Sequence, residues 1–141
     1  MKVYLDNAAT TELLPEVIEE VKNVTENIYG NPSSLHAIGL EAERVVRNAR
    51  QVIAKSLGVE TTEILFTSGA TESDNTAVFG AVYSNLRRGK HIITSKIEHP
   101  AVLACFKKLE QEGFEVTYLD VDNNGIIDME QFKNYFEVLS I

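Results

Sequence analysis

Cysteine is almost missing: the 141 residues include one, Cys105, so no internal disulfide can form and no cysteine-based zinc spacing exists. Basic residues are also in deficit. Thirteen Lys and Arg against twenty-one Asp and Glu leave a net charge of −8. Such a field repels polyanions, which argues against nucleic acid or an anionic membrane surface as partner. No apolar run approaches the ~20 residues that a bilayer span needs. The first eleven residues carry a single basic side chain and no apolar stretch, so they do not read as a secretory signal. Internal repeats, low-complexity tracts and linkers rich in Pro, Gly or Ser are missing too. What is present is ordinary: 44% apolar and 24% charged residues, the balance of a globular protein rather than a disordered one. The length suits one domain or part of one, able to bury about two-thirds of its unfolded surface. The expected location is cytoplasmic.

Periodicity turns this composition into elements. Residues 1–10 read as an extended leading segment. Pro15 opens a helix, where its missing N–H costs nothing, and Val17, Ile18, Val21, Val24 and Ile28 fall on one stripe. The turn signal Gly30-Asn31-Pro32-Ser33-Ser34 ends that helix by Tyr29. Leu35, Ile38, Ala42, Val45, Ala49, Ile53 and Leu57 then recur at helical spacing until Gly58 stops them. The run Glu63-Ile64-Leu65-Phe66-Thr67 predicts a short buried strand. A turn at Ser68-Gly69-Ala70-Thr71 and a helix over 72–88, closed by Gly89, follow.

A second strand is predicted at 91–95, a helix at 101–112 closed by Gly113, and a third strand at 115–121. A short helix over 128–137 turns Met129, Phe132 and Phe136 inward, and Val138-Leu139-Ser140-Ile141 starts a fourth strand. Strands alternating with helices imply an α/β fold with a mostly parallel sheet. A terminal strand with nothing after it reads as an interrupted domain, with a fraying edge strand as the other reading.

Three segments hold candidate chemistry. At Ser68-Gly69-Ala70-Thr71 a strand passes into a helix, whose N-terminal N–H groups and dipole favour an anion such as phosphate. Gly69 would allow a sharp turn, and Thr71 could add a hydroxyl donor. Thr71-Glu72-Ser73-Asp74 equally fits a capping box, a purely structural role. Neither a Walker loop nor a dinucleotide fingerprint is present. His99 precedes Pro100, which pushes it out of helical geometry at the carboxyl end of a strand, where α/β sheets bind ligands. There an imidazole can stack on a planar ring or shuttle a proton, or simply cap the helix. The run from Asp120 to Asp128 resembles a calcium loop with Gly125 in place, but its twelfth position is Gln131 and the glutamate comes one early, at Glu130. The β-prone residues before it are not the incoming helix such a loop needs, so Asn124-Gly125 reads as a tight turn. Cys105 lies beside the stripe of Val102, Phe106 and Leu109 with no His or Arg in the local sequence, so packing is its expected role.

These residues fall into four ordered motifs: Leu5-Asp6-Asn7-Ala8-Ala9-Thr10-Thr11, Tyr29-Gly30-Asn31-Pro32-Ser33-Ser34-Leu35-His36, Phe66-Thr67-Ser68-Gly69-Ala70-Thr71-Glu72-Ser73-Asp74-Asn75, and Ile97-Glu98-His99. Together they resemble the N-terminal portion of a cysteine desulfurase, a pyridoxal-phosphate enzyme of the class-V aminotransferase family. The resemblance implies an incomplete pyridoxal-phosphate fold type I (aspartate-aminotransferase-like) large domain. The implied organisation is an extended segment over 1–14, helices over 15–58 and a partial cofactor-binding α/β domain over 59–141.

By the same resemblance, Ala70 and Thr71 hold the phosphate of pyridoxal 5'-phosphate, while His99 stacks on its ring and assists proton transfer. Asn7 and Ala8 lie near the substrate, L-cysteine. The family gives L-alanine and an enzyme persulfide, whose sulfur passes to an acceptor protein for iron–sulfur clusters or thio-cofactors. His36 belongs to the motif without an assigned role. The Ser-x-His-Lys context of the family's Schiff-base Lys occurs nowhere here, and the nucleophilic Cys of the family does not match Cys105. The chain is therefore expected to be inactive alone, working as a homodimer or with a complementary C-terminal half. The alternative is a non-catalytic truncated or split-gene interaction module. Either way, apolar faces and strand edges should be left uncovered.

Overall fold

The computed structural model describes residues 3–138. They divide between Leu65 and Phe66 into two compact units.

The first unit is helical. Asn7, Ala8 and Ala9 form a turn closed by the Ala9 N–H to the Asp6 carbonyl at 3.1 Å, so the leading segment is not extended throughout. Helix α1 spans Pro15–Asn27, with Pro15 at its start as the spacing predicts. Its apolar stripe forms but is not covered: Val17, Ile18 and Val21 are exposed, and no residue of α1 is buried. Helix α2, Ala37–Leu57, ends on Gly58 at φ 69°, a left-handed position that favours glycine. The buried side of α2 is made by Gly39, Ala42 and Ala54; Ile53 and Leu57 of the expected stripe remain exposed.

The preceding turn packs tightly on α2. A Cβ on Gly30 would collide with the Ile38 carbonyl, and one on Gly39 with the Ser34 carbonyl. His36, for which the motif suggested no role, caps α2: its Nδ1 accepts the Gly39 N–H at 3.3 Å.

The predicted strand at 63–67 is not formed. Thr61–Glu63 is a 3₁₀ turn in which the Glu63 carboxylate accepts the Glu60 N–H at 2.8 Å. Ile64 is extended, but no strand is paired with 64–67 among the described residues. An apolar run supplies burial potential, whereas a strand also needs a partner for its N–H and C=O groups.

The second unit holds the α/β pattern. Helix α3 spans Ala70–Ser84 and is followed by a 3₁₀ turn at Leu86–Arg88, so the predicted single helix over 72–88 starts earlier and breaks at Asn85. Strand β1, His91–Ser95, pairs in parallel with β2, Glu115–Leu119, from His91 against Glu115 to Ser95 against Leu119. Helix α4, Pro100–Gln111, joins them and packs on α3. Val121 leaves the strand and instead bridges antiparallel to Ile127. Helix α5 spans Met129–Val138. Val138 is thus helical, not the start of a strand, and 139–141 lie outside the described residues. Phe132 is half-buried, Met129 is 54% exposed rather than inward, and the side chain of Phe136 lies outside the description.

The core of this unit gathers Cys105, Leu109, Phe114 and Leu119 around the β1–β2 pair. Leu109 and Cys105 are the deepest, while Val102 and Phe106 of the predicted stripe are half-buried. With two strands in the sheet, Val102 and Phe106 line an open apolar groove beside Ile93 and Phe132. Among the described residues, no helix is long and apolar enough to cross a membrane.

Candidate functional site

Helix α3 begins abruptly. Gly69 precedes it in extended geometry, φ 166° and ψ 178°. The chain bends at Ser68 and Gly69 as expected, but a Cβ on Gly69 would meet nothing within 4 Å, so neither a left-handed turn nor close packing calls for glycine. The first helical bond runs from the Ser73 N–H to the Gly69 carbonyl at 3.1 Å. The N–H groups of Ala70, Thr71 and Glu72 precede it and have no place in the ladder. Among the described residues, no side chain caps them. Thr71 is inside the helix rather than at its cap, so the capping box with Asp74 does not form.

The acidic residue of that turn is engaged elsewhere. Glu72 Oε2 accepts from both the backbone N–H and the hydroxyl of Ser68, each at 2.6 Å. These bonds hold the Glu72 carboxyl below its ordinary range. The Thr67 and Ser73 hydroxyls pair at 2.6 Å, and Asn75 Nδ2 donates to the Thr71 carbonyl at 2.7 Å. The result is a fixed loop beneath a row of exposed backbone donors at Ala70 and Thr71. A phosphate dianion fits such an end: it accepts several N–H bonds and meets the positive end of the dipole.

His99 caps helix α4. Its backbone is extended, φ −56° and ψ 145°, as the following proline requires. Nδ1 accepts the Ala101 N–H at 3.2 Å, and the ring is exposed. The turn that carries it is anchored on both sides. Ser95 Oγ donates to Glu98 Oε1 at 2.9 Å. The Lys96 N–H extends the sheet pairing to the Leu119 carbonyl at 3.0 Å, and Lys96 Nζ pairs with Asp120. Sequence reasoning missed both pairs. Ser95-Lys96-Ile97-Glu98 has the Ser-x-x-Glu spacing that could have signalled the first pair, but it stands at a strand end rather than at a helix start.

Ala70 and Thr71 therefore share the first turn of α3, and His99 caps the neighbouring α4. Asn7 and Ala8 lie in the first unit, exposed, at the turn closed on Asp6. Cys105 is 2% exposed, and burial, with the Asp74 charge second, pushes its thiol up. That is the opposite of an activated nucleophile.

The acidic loop after β2 uses its carboxylates internally. Asp122 Oδ1 accepts the Asn124 and Ile126 N–H groups at 2.8 and 2.9 Å, which holds its carboxyl down. Asp128 Oδ1 accepts the Glu130 and Gln131 N–H groups at 2.9 and 3.0 Å, at the start of α5. Among the described residues, no group of three metal-ligating side chains is found.

Comparison with known proteins matches residues 3–138 to the aminotransferase class-V family profile. Similar proteins include a cysteine desulfurase IscS from Dictyoglomus turgidum, 49% identical over 132 residues, covering 94% of this chain and 34% of that protein. A cysteine desulfurase IscS from Methanosarcina thermophila is 50% identical over 133 residues, covering 94% and 33%. Among solved structures, a NifS-like protein superposes with a TM-score of 0.89 at 42% identity, covering 95% of this chain and 37% of that one. The structure of SspA in complex with cysteine gives 0.84 at 39% identity, covering 93% and 38%. The chain thus spans about a third of the length of the curated relatives it matches. Its architecture is an incomplete fold type I α/β domain of that group.

Proposed function

The chain belongs to the aminotransferase class-V family, and on that premise we propose that it carries the N-terminal share of a pyridoxal-phosphate-dependent cysteine desulfurase. One observation carries this reading: the uncapped start of α3, where the backbone donors of Ala70 and Thr71 stand free while Glu72 is turned onto Ser68. In this reading those N–H groups and the Thr71 hydroxyl hold the phosphate of pyridoxal 5'-phosphate. His99 stacks on the ring and holds a proton at Nε2, because Nδ1 is occupied as acceptor for Ala101. Asn7 and Ala8 contact L-cysteine. When bound, the cofactor supplies the electron sink that the chemistry needs. Location in the cytoplasm, transfer of sulfur to an acceptor protein and a role in iron–sulfur or thio-cofactor synthesis belong to the same proposal.

In this reading residues 1–141 supply the phosphate cradle and His99, while no lysine among them has the family's anchoring context and Cys105 is buried. A homodimer or a complementary C-terminal half as partner belongs to the same proposal. A specific observation favours the related reading of a non-catalytic interaction module: the stripe Val17, Ile18 and Val21 on α1 lies exposed.

A pyridoxal 5'-phosphate titration, followed by borohydride reduction, tests the proposal. Reversible binding is expected, weakened about ten-fold or more in Thr71→Ala through loss of a charge-assisted bond, with inorganic phosphate competing and no lysine trapped. Binding unaffected by Thr71→Ala and by phosphate would refute the phosphate site. A trapped lysine with sulfide released from L-cysteine would refute the dependence on another half.

A further inference from the structure

We propose that Ser95 and Glu98 are positioning residues for His99, locking the turn that presents its ring. The proposal rests on the ring-stacking role given to His99 above.

Ser95 ends β1 and is 4% exposed. A hydroxyl buried to that degree needs a partner, and Glu98 Oε1 provides it at 2.9 Å. Because the acceptor is a carboxylate, the bond is charge-assisted and among the stronger kinds. It closes a short loop from the last strand residue to the residue before His99. The other arm of the turn is tied independently, by the Lys96 N–H to the Leu119 carbonyl and by the Lys96–Asp120 pair on β2's end. Pro100 then restricts His99 to extended geometry.

Few degrees of freedom remain. The backbone of His99 is held from both sides, and its side chain reaches Ala101 as an acceptor. Glu98 thus acts on the ring through the backbone it anchors. It is not itself assigned to the cofactor. Without the Ser95 bond, Glu98 is an exposed side chain and the turn loses its inner anchor.

Amide exchange in the full chain tests the idea, because the Ala101 N–H is donated to the His99 ring. Ser95→Ala and Glu98→Ala should each lower protection at Ala101 about five-fold relative to Leu109, the scale of one lost hydrogen bond. The pair should show no further loss in the double variant. Glu98→Gln, whose amide oxygen still accepts from Ser95, should retain protection. Unchanged Ala101 exchange in both alanine variants would overturn the proposal, as would an equal loss at Leu109, which marks general destabilisation. The stacking role is read separately, from His99 ring resonances on addition of pyridoxal 5'-phosphate. Unmoved ring resonances would sink that role, and with it the purpose of the pair, even where the Ala101 result holds.

Discussion

The Tyr83 hydroxyl donates a 2.6 Å hydrogen bond to Glu112 Oε2, tying α3 to the end of α4 across twenty-nine residues of sequence. Lys108 Nζ meets the other carboxylate oxygen at 3.2 Å. The tyrosine bond, then the lysine, holds the Glu112 carboxyl below its ordinary value, while the bond to Glu112 raises the Tyr83 hydroxyl. Both groups are solvent-accessible, so the contribution to stability is small.

Its sign with pH is nevertheless fixed. A depressed carboxyl contributes above its unfolded value of 4.5 and loses that contribution as pH falls through the lower folded value. A raised tyrosine contributes below its unfolded value of 10.0 and loses it as pH rises through the folded one. Tyr83→Phe should therefore lower Tm at neutral pH. The gap to the parent should narrow below about pH 4 and again above about pH 10, the ordinary ranges of the two groups. A series of thermal melts measures it, and a gap independent of pH would sink the assignment.

Two glycine substitutions should act in opposite directions. Gly39→Ala drives a methyl into the Ser34 carbonyl, and overpacking of this kind costs about 1–3 kcal/mol. Gly80 lies inside α3 with open space where a Cβ would go. Gly80→Ala should stabilise by about 0.5–1 kcal/mol, through helix propensity alone. Urea midpoints of the two variants against the parent decide both.

Cys105 should be silent in the native state. Its Sγ donates to the Ala101 carbonyl at 3.3 Å within a core that excludes water. A disulfide reagent at pH 8 should label it at least about ten-fold more slowly than in urea, consistent with a buried, inert thiol. Equal rates would show that the α3–α4 core is open.

The bare stripe of α1 predicts self-association. Replacing Val21, 56% exposed, by Ser removes exposed apolar surface. Folding stability should change by no more than about 0.5 kcal/mol, the usual range for surface substitutions, while the sedimentation coefficient at high concentration should fall. A larger stability loss would mean that the stripe is covered after all.

Much of this fold was legible from punctuation. Pro15 and Pro100 open helices, and Gly58 and Gly113 follow their ends with φ 69° and 85°. Strands β1 and β2 lie where apolar, β-prone runs predicted them. The run at 63–67 failed because residue type reports a preference for burial but says nothing of a neighbouring strand. Thr71 was misread as a cap because the helix starts at Ala70, one residue ahead of it. At the candidate site, His99 precedes its helix as expected, yet Lys96–Asp120 joins the ends of two strands and Ser95–Glu98 closes the turn after the first of them. Such contacts leave no periodic trace.

The parallel pair has a consequence for how the second unit is built. Each of its five residue pairs, from His91–Glu115 to Ser95–Leu119, is separated by twenty-four positions. Closing one loop of that length costs about 3 kcal/mol in chain entropy. Once His91 meets Glu115, the four remaining pairs zip without another closure. One closure thus serves the whole ladder. The strand–helix–strand segment from His91 to Leu119 therefore gains or loses its parallel ladder as a unit, so loosening one pair exposes the other four to the same closure cost.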